Sequence, residues 1–449
     1  MKKSNLPIAV IGLGKTGISV AKYLFNNNIN FIIYDTRKNP EFFIEAKKFI
    51  NSKKIILGGI SKEIIDYHDN FIISPGLELD KNLIKKIYKD KKNLLTDIDI
   101  FNDKKRNNLI CITGSNGKTT VTLLIEHILI NLGKKAKAGG NIGFPVLELL
   151  RKDYEYNIIE LSSFQLEMLE KINCEVSLIT NITPDHLDRH KSLDNYIKIK
   201  HKIFNNTKNI IINRCDKNIK KEEISFKYSF GDNIPKNKNE FGIKKINGTN
   251  NILFGKKKMI NENEVLLIGK HNLVNICSAL SVIQALGLNM DEACKHVKTF
   301  TCIEHRMENF FNKSNIRWIN DSKATNIDST VSALNSLDNN IILILGGKSK
   351  TDDYKKLNDA ISKKVDQVIL LGESKNIMLK QITAVNNIAI VDTIENAVIK
   401  AKEFATKLRD ESKIPVNIIL SPACSSYDMF KSYEERGQLF KECALNQYR

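Results

Sequence analysis

From residue 7 to about 97, short apolar runs alternate with segments of helical period: PIAVIGL, KTGISVAKYLF, NFIIYD, then KIILG and NFIISPG. Apolar runs of this length, separated by helix-length stretches, predict strands joined by right-handed crossovers, and hence a parallel sheet. The alternation restarts at NNLICITGSNGKTT and continues through NIIELS, VSLITNI and NIIINR. Residues 216–264 interrupt it. They are polar and rich in Lys, Asn and Gly, with weak strand signals near Ile243 and Ile252, so hairpins and loops are expected at the edge of this second unit. Leu273, Ile276, Cys277 and Leu280 then fall at i, i+3, i+4 and i+7, which predicts a helix over 272–286. A third alternation starts near 303 with IRWIND, NIILILGG, DQVILLG and VNIILS. The expectation is an α/β chain of three domains, 1–97, 98–302 and 303–449, without an internal repeat.

Composition narrows the class. The chain has 449 residues, 42% of them hydrophobic, with 22 Gly, a globular share that excludes disordered and collagen-like classes. The longest apolar runs, such as IILILGG from Ile341, fall far short of the roughly 20 residues a spanning helix needs, so no membrane insertion is expected. The formal charge of +18 invites a nucleic-acid reading. Its makeup argues against one: 59 of the 69 basic residues are Lys and 10 are Arg, scattered along the chain with Asn and Ile. Solvated lysine-rich faces are expected, and no nucleic-acid partner. Eight cysteines without a C-x-x-C pair read as reduced, mostly buried thiols. The start MKKSNLPIAVIGLG lacks an apolar signal core, so a cytoplasmic protein is expected.

Four groups of residues carry chemistry. Gly114, Ser115, Asn116, Gly117, Lys118, Thr119 and Thr120 follow a strand and open a helix. This is a shortened P-loop, in which backbone N–H groups curl round phosphate, Lys118 neutralises charge and the Thr119 hydroxyl reaches Mg²⁺. At the N-terminus Gly12, Gly14 and Gly17 form G-x-G-x-x-G after a strand, and Asp35 ends the next strand. That pattern brings backbone close to a diphosphate and a carboxylate close to a ribose, with Lys15, Thr16, Thr36 and Arg37 adding polar groups. It fits a UDP-sugar as well as NAD. Glu160 in ELSSFQLE and His186 in NITPDHLDRH lie at neighbouring strand ends, where both could meet a metal beside the P-loop. The third domain offers WINDSKATN, GGKSK and LSPACSSYDMFKSYEERG, three strand ends suited to a small carboxylate-bearing substrate, although Asp321, Ser322 and Asn326 are also good helix N-caps.

With TGSNGKTT, GGNIG, ELSSFQLE, NITPDHLDRH, GKHNLVN, EHRME and NDSKATN in order, nearly the whole chain resembles the Mur ligase family of peptidoglycan precursor synthesis. That resemblance implies a Rossmann-like first domain, a P-loop ATPase-like middle domain with a parallel sheet and a Rossmann-like last domain. Within the family, ELSSFQLE with LSPACSSYDMF resembles the members that add D-glutamate to UDP-N-acetylmuramoyl-L-alanine. The resemblance implies ATP and two Mg²⁺ ions, with Lys118, His186 and Lys200 as catalytic residues. Thr119, Glu160, His186 and Lys200 would serve metal. Lys200 would do so as a carbamate, an oxygen ligand suited to a hard cation, with Lys198 and Lys202 as alternatives. Gly114 to Thr120, Asn272, Asn275, Arg306 and Asp321 would hold ATP. Gly14, Lys15, Thr16, Asp35, Thr36, Arg37, Asn141, Ser162 and Gln165 would hold the uridine diphosphate substrate. Thr325, Lys350, Ser426 and Tyr433 would hold D-glutamate. Tyr433 stands where the family has Phe, which adds a hydroxyl to that pocket.

The implied reaction is phosphorylation of the alanyl carboxylate by ATP, followed by attack of the D-glutamate amine on the acyl phosphate. A monomer acting on small molecules is expected. Two other classes compete. A nicotinamide oxidoreductase leaves the P-loop and the third domain without work, and a P-loop switch protein predicts nucleotide hydrolysis independent of any amino acid. Relatives adding L-alanine, diaminopimelate or a dipeptide are the nearest rivals inside the family, and the absence of a DNPR-type loop argues against them.

Overall fold

The computed structural model describes residues 4–60, 62–74, 81–104, 108–169, 171–219, 224–267, 269–300, 304–337, 340–349, 353–412 and 415–448. Its packing divides into two compact units, residues 1–260 with 274–297, and residues 261–273 with 298–449.

The first unit holds two sheets. Strands β1 (Ile8–Ile11), β2 (Phe31–Asp35), β3 (Ile55–Leu57), β4 (Asn70–Ile73) and β5 (Asn93–Leu95) form the first, in the order β3-β2-β1-β4-β5. Every pairing in it is parallel. β1 is buried along its whole length, as the unbroken run IAVI requires of a central strand. The order reverses beside β1, so the Gly12–Gly17 turn sits at the topological switch point where open α/β sheets bind ligands. The second sheet contains β6 (Leu109–Thr113), β7 (Ala136–Gly140), β8 (Tyr156–Glu160), β9 (Cys174–Ile179), β10 (Thr207–Asn213), β11 (Tyr228–Phe230), β12 (Glu240–Ile246), β13 (Thr249–Phe254) and β14 (Lys257–Asn261). Its order, β14-β13-β12-β11-β10-β9-β6-β8-β7, again reverses beside the phosphate-loop strand, since β6 lies between β8 and β9. The polar stretch expected to form edge hairpins does so. Asn247 and Gly248, both with positive φ (49° and 82°), make the two-residue turn between antiparallel β12 and β13.

One apolar core runs through both sheets of this unit, from Ile8 and Leu24 to Leu147, Ile159 and Phe204. Apolar periodicity within a segment does not reveal that two sheets share a core.

In the second unit, β15 (Glu308–Lys313), β16 (Ile316–Asn320), β17 (Ile341–Gly346), β18 (Val365–Leu371), β19 (Ile388–Ile390) and β20 (Val416–Leu420) form a sheet ordered β15-β16-β20-β17-β18-β19. β15 pairs antiparallel with β16, and the remaining pairs are parallel. β15 carries ENFFNK, mixed in polarity and without a continuous apolar run, which is why periodicity did not reveal it. The helix foreseen at 272–286 spans Lys270–Ala285. Among the described residues no helix is long and apolar enough to cross a membrane. The described cysteines are all free, and Cys111, Cys174, Cys277, Cys294 and Cys424 are buried.

The first sheet also makes a pH prediction. His68 is fully buried, its Nδ1–H donates to the Pro7 carbonyl at 2.7 Å, and its Nε2 accepts from the Tyr34 hydroxyl at 2.8 Å. Burial holds this imidazole below the ordinary histidine range. The unfolded chain therefore takes up a proton that the folded chain refuses. The stability His68 contributes is present above the unfolded histidine value, about 6.5, and declines as pH falls through it towards the lower folded value. Urea midpoints at pH 7.5 and 5.5 should differ more for the native chain than for His68→Gln.

Candidate active site

The loop after β6 is shaped by two glycines. Gly114 has φ 153°, and a Cβ there would lie 1.9 Å from Thr180 Oγ1. Gly117 has φ 81°, and a Cβ there would lie 2.5 Å from Asn275 Oδ1. Between them the loop is fastened to the end of β9. The Ser115 amide donates to the Asn181 carbonyl (2.8 Å), the Asn116 amide to Asn181 Oδ1 (2.9 Å), and Thr180 Oγ1 to the Asn116 carbonyl (2.6 Å). The Ser115 hydroxyl donates to the Thr183 carbonyl at 2.8 Å. Ser115 and Asn116 thus hold the loop in shape, and Gly117 leads it into the helix Lys118–Asn131. The Lys118 ammonium folds back over the loop onto the carbonyls of Gly114 (2.8 Å) and Ser115 (2.9 Å).

Lys200 reaches the same loop from the helix Leu193–His201. It is 1% exposed, donates to the Gly114 carbonyl at 2.8 Å and to Thr113 Oγ1 at 3.3 Å, and lies 4.7 Å from the Tyr196 ring centroid. Burial first, and the nearby Lys118 charge second, push its amine well below the usual lysine range. Its neighbours in IKIKHK differ: Lys198 is exposed, and the Lys202 ammonium donates to the Glu167 (2.8 Å) and Leu169 (3.3 Å) carbonyls.

Glu160, at the end of β8, is 1% exposed. Its Oε1 accepts from Asn141 Nδ2 at 2.7 Å, while its Oε2 is buried without a hydrogen-bond partner. A buried carboxylate oxygen left in this state is costly unless a cation meets it. Oxygen donors from Glu160 and Thr119 suit Mg²⁺ rather than a softer metal. His186 adopts a left-handed backbone (φ 52°) at the start of the short helix Leu187–His190, and its ring packs 4.9 Å from that of Phe164. Ser162 and Gln165 form a reciprocal capping box at the helix Ser163–Met168, which fixes both side chains just past Glu160.

In the first sheet, a Cβ on Gly17 would sit 1.8 Å from the Gly12 carbonyl oxygen, so helix and turn approach to a distance only glycine allows. Gly17→Ala is expected to cost about 1–3 kcal/mol of unfolding free energy, seen as a lower urea midpoint. Asp35 is fully buried and has turned inward. Its Oδ2 accepts from the Leu13 amide (2.6 Å) and Arg37 Nη2 (2.7 Å), its Oδ1 from Arg37 Nε (2.9 Å) and the Arg37 amide (2.8 Å). Burial works to raise this carboxyl, yet these donors, led by Arg37, hold it below the ordinary carboxylate range. Asp35 thereby clamps the Gly12–Gly14 turn and Arg37. Lys15, Thr36 and Arg37 are exposed at the same edge, with Gly14 and Thr16 half-buried. Asn275 stands over Gly117, one helical turn beyond the buried Asn272.

The second unit gathers another constellation. Asp321, at the end of β16, accepts from the Ser421 hydroxyl (2.8 Å) and the Met307 amide (3.2 Å). Burial raises its carboxyl to about 7. Burial, and then the Arg306 charge, depress the His271 imidazole to about 4. Thr325 follows in the loop after β16, and Ser426, 2% exposed, in the loop after β20. Tyr433 opens the helix Tyr433–Asn446, with its carbonyl accepting from the Ser322 hydroxyl at 2.8 Å. Lys350 lies outside the described residues.

Arg436 joins these loops and was missed by the sequence reading. It is 1% exposed, and its guanidinium donates to Ser322 Oγ (2.9 Å) and to the carbonyls of Ser322 (2.8 Å), Cys424 (3.2 Å), Ser425 (3.3 Å) and Gly346 (3.5 Å). Three strand-end loops thus hang on one side chain, whose charge burial has pulled down to about 10. The only sequence signal was an Arg in an otherwise solvent-type helix segment, YEERG. Glu304, His305 and Glu308 also converge, with ligand atoms within 4.8 Å of one another. The Lys441 ammonium bridges both carboxylates at 2.7 and 2.8 Å, which makes them an ion-pair cluster.

Comparison with known proteins bears on all three sheets. The Mur ligase MurD-like N-terminal domain matches residues 7–95, the Mur ligase middle domain residues 112–283, and the Mur ligase glutamate ligase domain residues 305–410. The chain is 33% identical over 440 residues to the UDP-N-acetylmuramoylalanine–D-glutamate ligase of Pseudomonas syringae pv. tomato, covering 96% of each. It is 34% identical over 449 residues to the protein of that name in Haemophilus influenzae, covering 98% of each. Among solved structures, UDP-N-acetylmuramate–alanine ligase of Thermotoga maritima matches with a TM-score of 0.62 at 16% identity, over 99% of this chain and 100% of that one. MurF ligase of the same organism, in complex with ADP, matches at 0.58 and 16%, over 99% of this chain and 97% of that one. These last two likenesses are of fold.

Proposed function

Since the chain belongs to the Mur ligase family, we propose an assignment of its own groups to the reaction of that family's D-glutamate-adding members. It is an ATP-dependent ligase that joins D-glutamate to UDP-N-acetylmuramoyl-L-alanine in peptidoglycan synthesis. The observation that carries the site assignment is the convergence of Lys118 and Lys200 on the Gly114 carbonyl. The Lys118 ammonium and the buried Lys200 amine thus meet at the head of the phosphate loop, where the transferring phosphoryl group would lie.

A substrate carboxylate oxygen attacks the γ-phosphorus of ATP, the bond to the ADP oxygen breaks, and an acyl phosphate forms. The D-glutamate nitrogen then attacks the acyl carbon. The tetrahedral species collapses as the carbon–oxygen bond to phosphate breaks, and the nitrogen loses its proton. Lys118, released from the Gly114 and Ser115 carbonyls, holds the β and γ oxygens, and the helix N-terminus at Gly117–Thr120 cradles them. Asn272, Asn275, Arg306 and Asp321 take the adenosine end. Gly14, Lys15, Thr16, Thr36 and Arg37, the last aimed by Asp35, take the uridine diphosphate. Asn141, Ser162 and Gln165 face the muramoyl-alanine end. Thr325, Lys350, Ser426 and Tyr433 bind D-glutamate.

Thr119, Glu160, His186 and the carbamate of Lys200 would hold two Mg²⁺ ions. Bound there, Mg²⁺ supplies neutralisation of charge on the transferring phosphoryl group. The unpartnered Glu160 Oε2 supports this assignment. Carbamylation is assigned to Lys200 rather than Lys198 or Lys202. Burial lowers the cost of losing the ammonium proton, and the neutral amine is nucleophilic: its nitrogen adds to the carbon of CO2 and sheds a proton, leaving an oxygen anion. Lys198 lies in solvent and Lys202 is held by carbonyls. We take domains 1–97, 98–302 and 303–449 as the carriers of the sugar nucleotide, ATP and the amino acid, acting as a cytoplasmic monomer.

Phosphate release should require both UDP-N-acetylmuramoyl-L-alanine and D-glutamate; equal release with L-glutamate or diaminopimelate would overturn the assignment. Arg436→Met should raise KM for D-glutamate at least ten-fold and lower the urea midpoint, because it takes their guanidinium donor from the buried Ser322 and Cys424 carbonyls, at about 1–3 kcal/mol each. Kinetics with ATP varied should change far less.

A further inference from the structure

Apart from these groups, the first unit has a cavity of about 510 Å³ between the helix Lys15–Asn26 and the 3-10 turn Val146–Arg151. Small-molecule sites commonly measure about 300–1,000 Å³. Ser19, Tyr23, Asn26 and Asn27 form its helical wall, at i, i+4, i+7 and i+8 and so on one stripe of the helix. A helix stripe facing a packed neighbour is ordinarily apolar; this one is polar. Leu147 and Leu150 supply an apolar surface from the 3-10 turn. Ser19 is 4% exposed, and its hydroxyl is buried without a hydrogen-bond partner. Such an oxygen costs about 1–3 kcal/mol, and here it lies behind the helical wall, out of reach of solvent.

The rim is cationic. Lys104, Arg151 and Lys152 stand against Glu148 and Asp153, and Arg151 Nε already holds Glu148 at 2.8 Å. An adjoining cavity of about 480 Å³ shares Lys152 and Asp153 and adds Lys134 and Lys135. The lining of the two lobes thus holds five cationic side chains against two acidic ones, with Lys134 also paired to Glu155 at 3.4 Å.

We infer that this groove is a second binding site, separate from the catalytic one, for a small organic anion that joins an aromatic or apolar body to a phosphate or carboxylate head. The body lies on Leu147, Leu150 and the Tyr23 ring, and the head meets Arg151 and Lys152. Phenyl phosphate is a suitable probe, titrated into the full chain with ADP saturating the nucleotide site and followed by saturation-transfer NMR. Millimolar binding is expected, weakened at least ten-fold by the double variant Arg151→Glu with Lys152→Glu, and unchanged by Lys118→Ala. Arg151 and Lys152 are exposed, so the double variant should keep its thermal midpoint; Lys152→Glu alone, with a smaller weakening, serves if it does not. The inference is overturned by no binding at 10 mM (roughly ten times the millimolar scale of a ligand worth about 4 kcal/mol), or by binding that survives the double variant and disappears in Lys118→Ala.

Discussion

Replacing Lys200 by Ala should lower turnover by about 10³-fold, the scale of removing a preorganised charged group from a phosphoryl-transfer site. The effect should fall on kcat far more than on KM for ATP, because the lost group acts where charge develops. A purely structural role is conceivable on the hydrogen bonds alone, since Lys200 ties the helix Leu193–His201 to the Gly114 carbonyl and Thr113. Two readouts separate the roles. Short-chain carboxylates such as acetate should restore part of the activity of Lys200→Ala, because they replace an oxygen anion and not an ammonium anchor. Withdrawal of bicarbonate and CO2 should depress the native enzyme and leave the variant unchanged. Lys198→Ala and Lys202→Ala should stay within a few-fold of native. A fully active Lys200→Ala, or one that carboxylates never rescue while Lys198→Ala fails, would move the modified position.

Glu160→Gln is the second large effect, expected at about 10²–10³ in kcat with a raised Mg²⁺ requirement. The substitution is isosteric and keeps an oxygen for Asn141 Nδ2. It exchanges the unpartnered Oε2 for an amide and removes a charge buried to 1% exposure. Loss of a buried, incompletely compensated charge is neutral or favourable for folding, so the thermal midpoint should hold or rise while activity falls. Binding of Mn²⁺, read by water-proton relaxation without turnover, should weaken in parallel. Unchanged Mn²⁺ binding would remove Glu160 from the metal site. A lowered midpoint with unchanged metal dependence would make the residue structural.

Most of the fold was legible because its determinants are local. Unbroken apolar runs such as ILILG at 342–346 mark strands covered on both faces, and their regular alternation with helices leaves a parallel sheet as the natural solution. The exceptions had no such run: β5, β7, β14, β15 and β19 owe their strand state to the edges they extend, and the three-residue β11 to the strands on either side of it. The phosphate loop was legible because its glycines are needed by the backbone itself, as the contacts at Gly114 and Gly117 show.

The sequence by itself thus determined three α/β sheets, the loops that carry chemistry and the family to which they belong. Tertiary structure decided what each group in those loops touches. It singled out Lys200 from a run of similar lysines, because helical phase buries that one under the phosphate loop and leaves Lys198 in water. It turned Asp35 onto Leu13 and Arg37, committed Ser115 and Asn116 to Asn181 and Thr183, and hung three strand ends on Arg436. These are hydrogen bonds, most of them between residues far apart in the chain. They leave no periodicity in the sequence, and they exist only once burial has removed water as the competing partner.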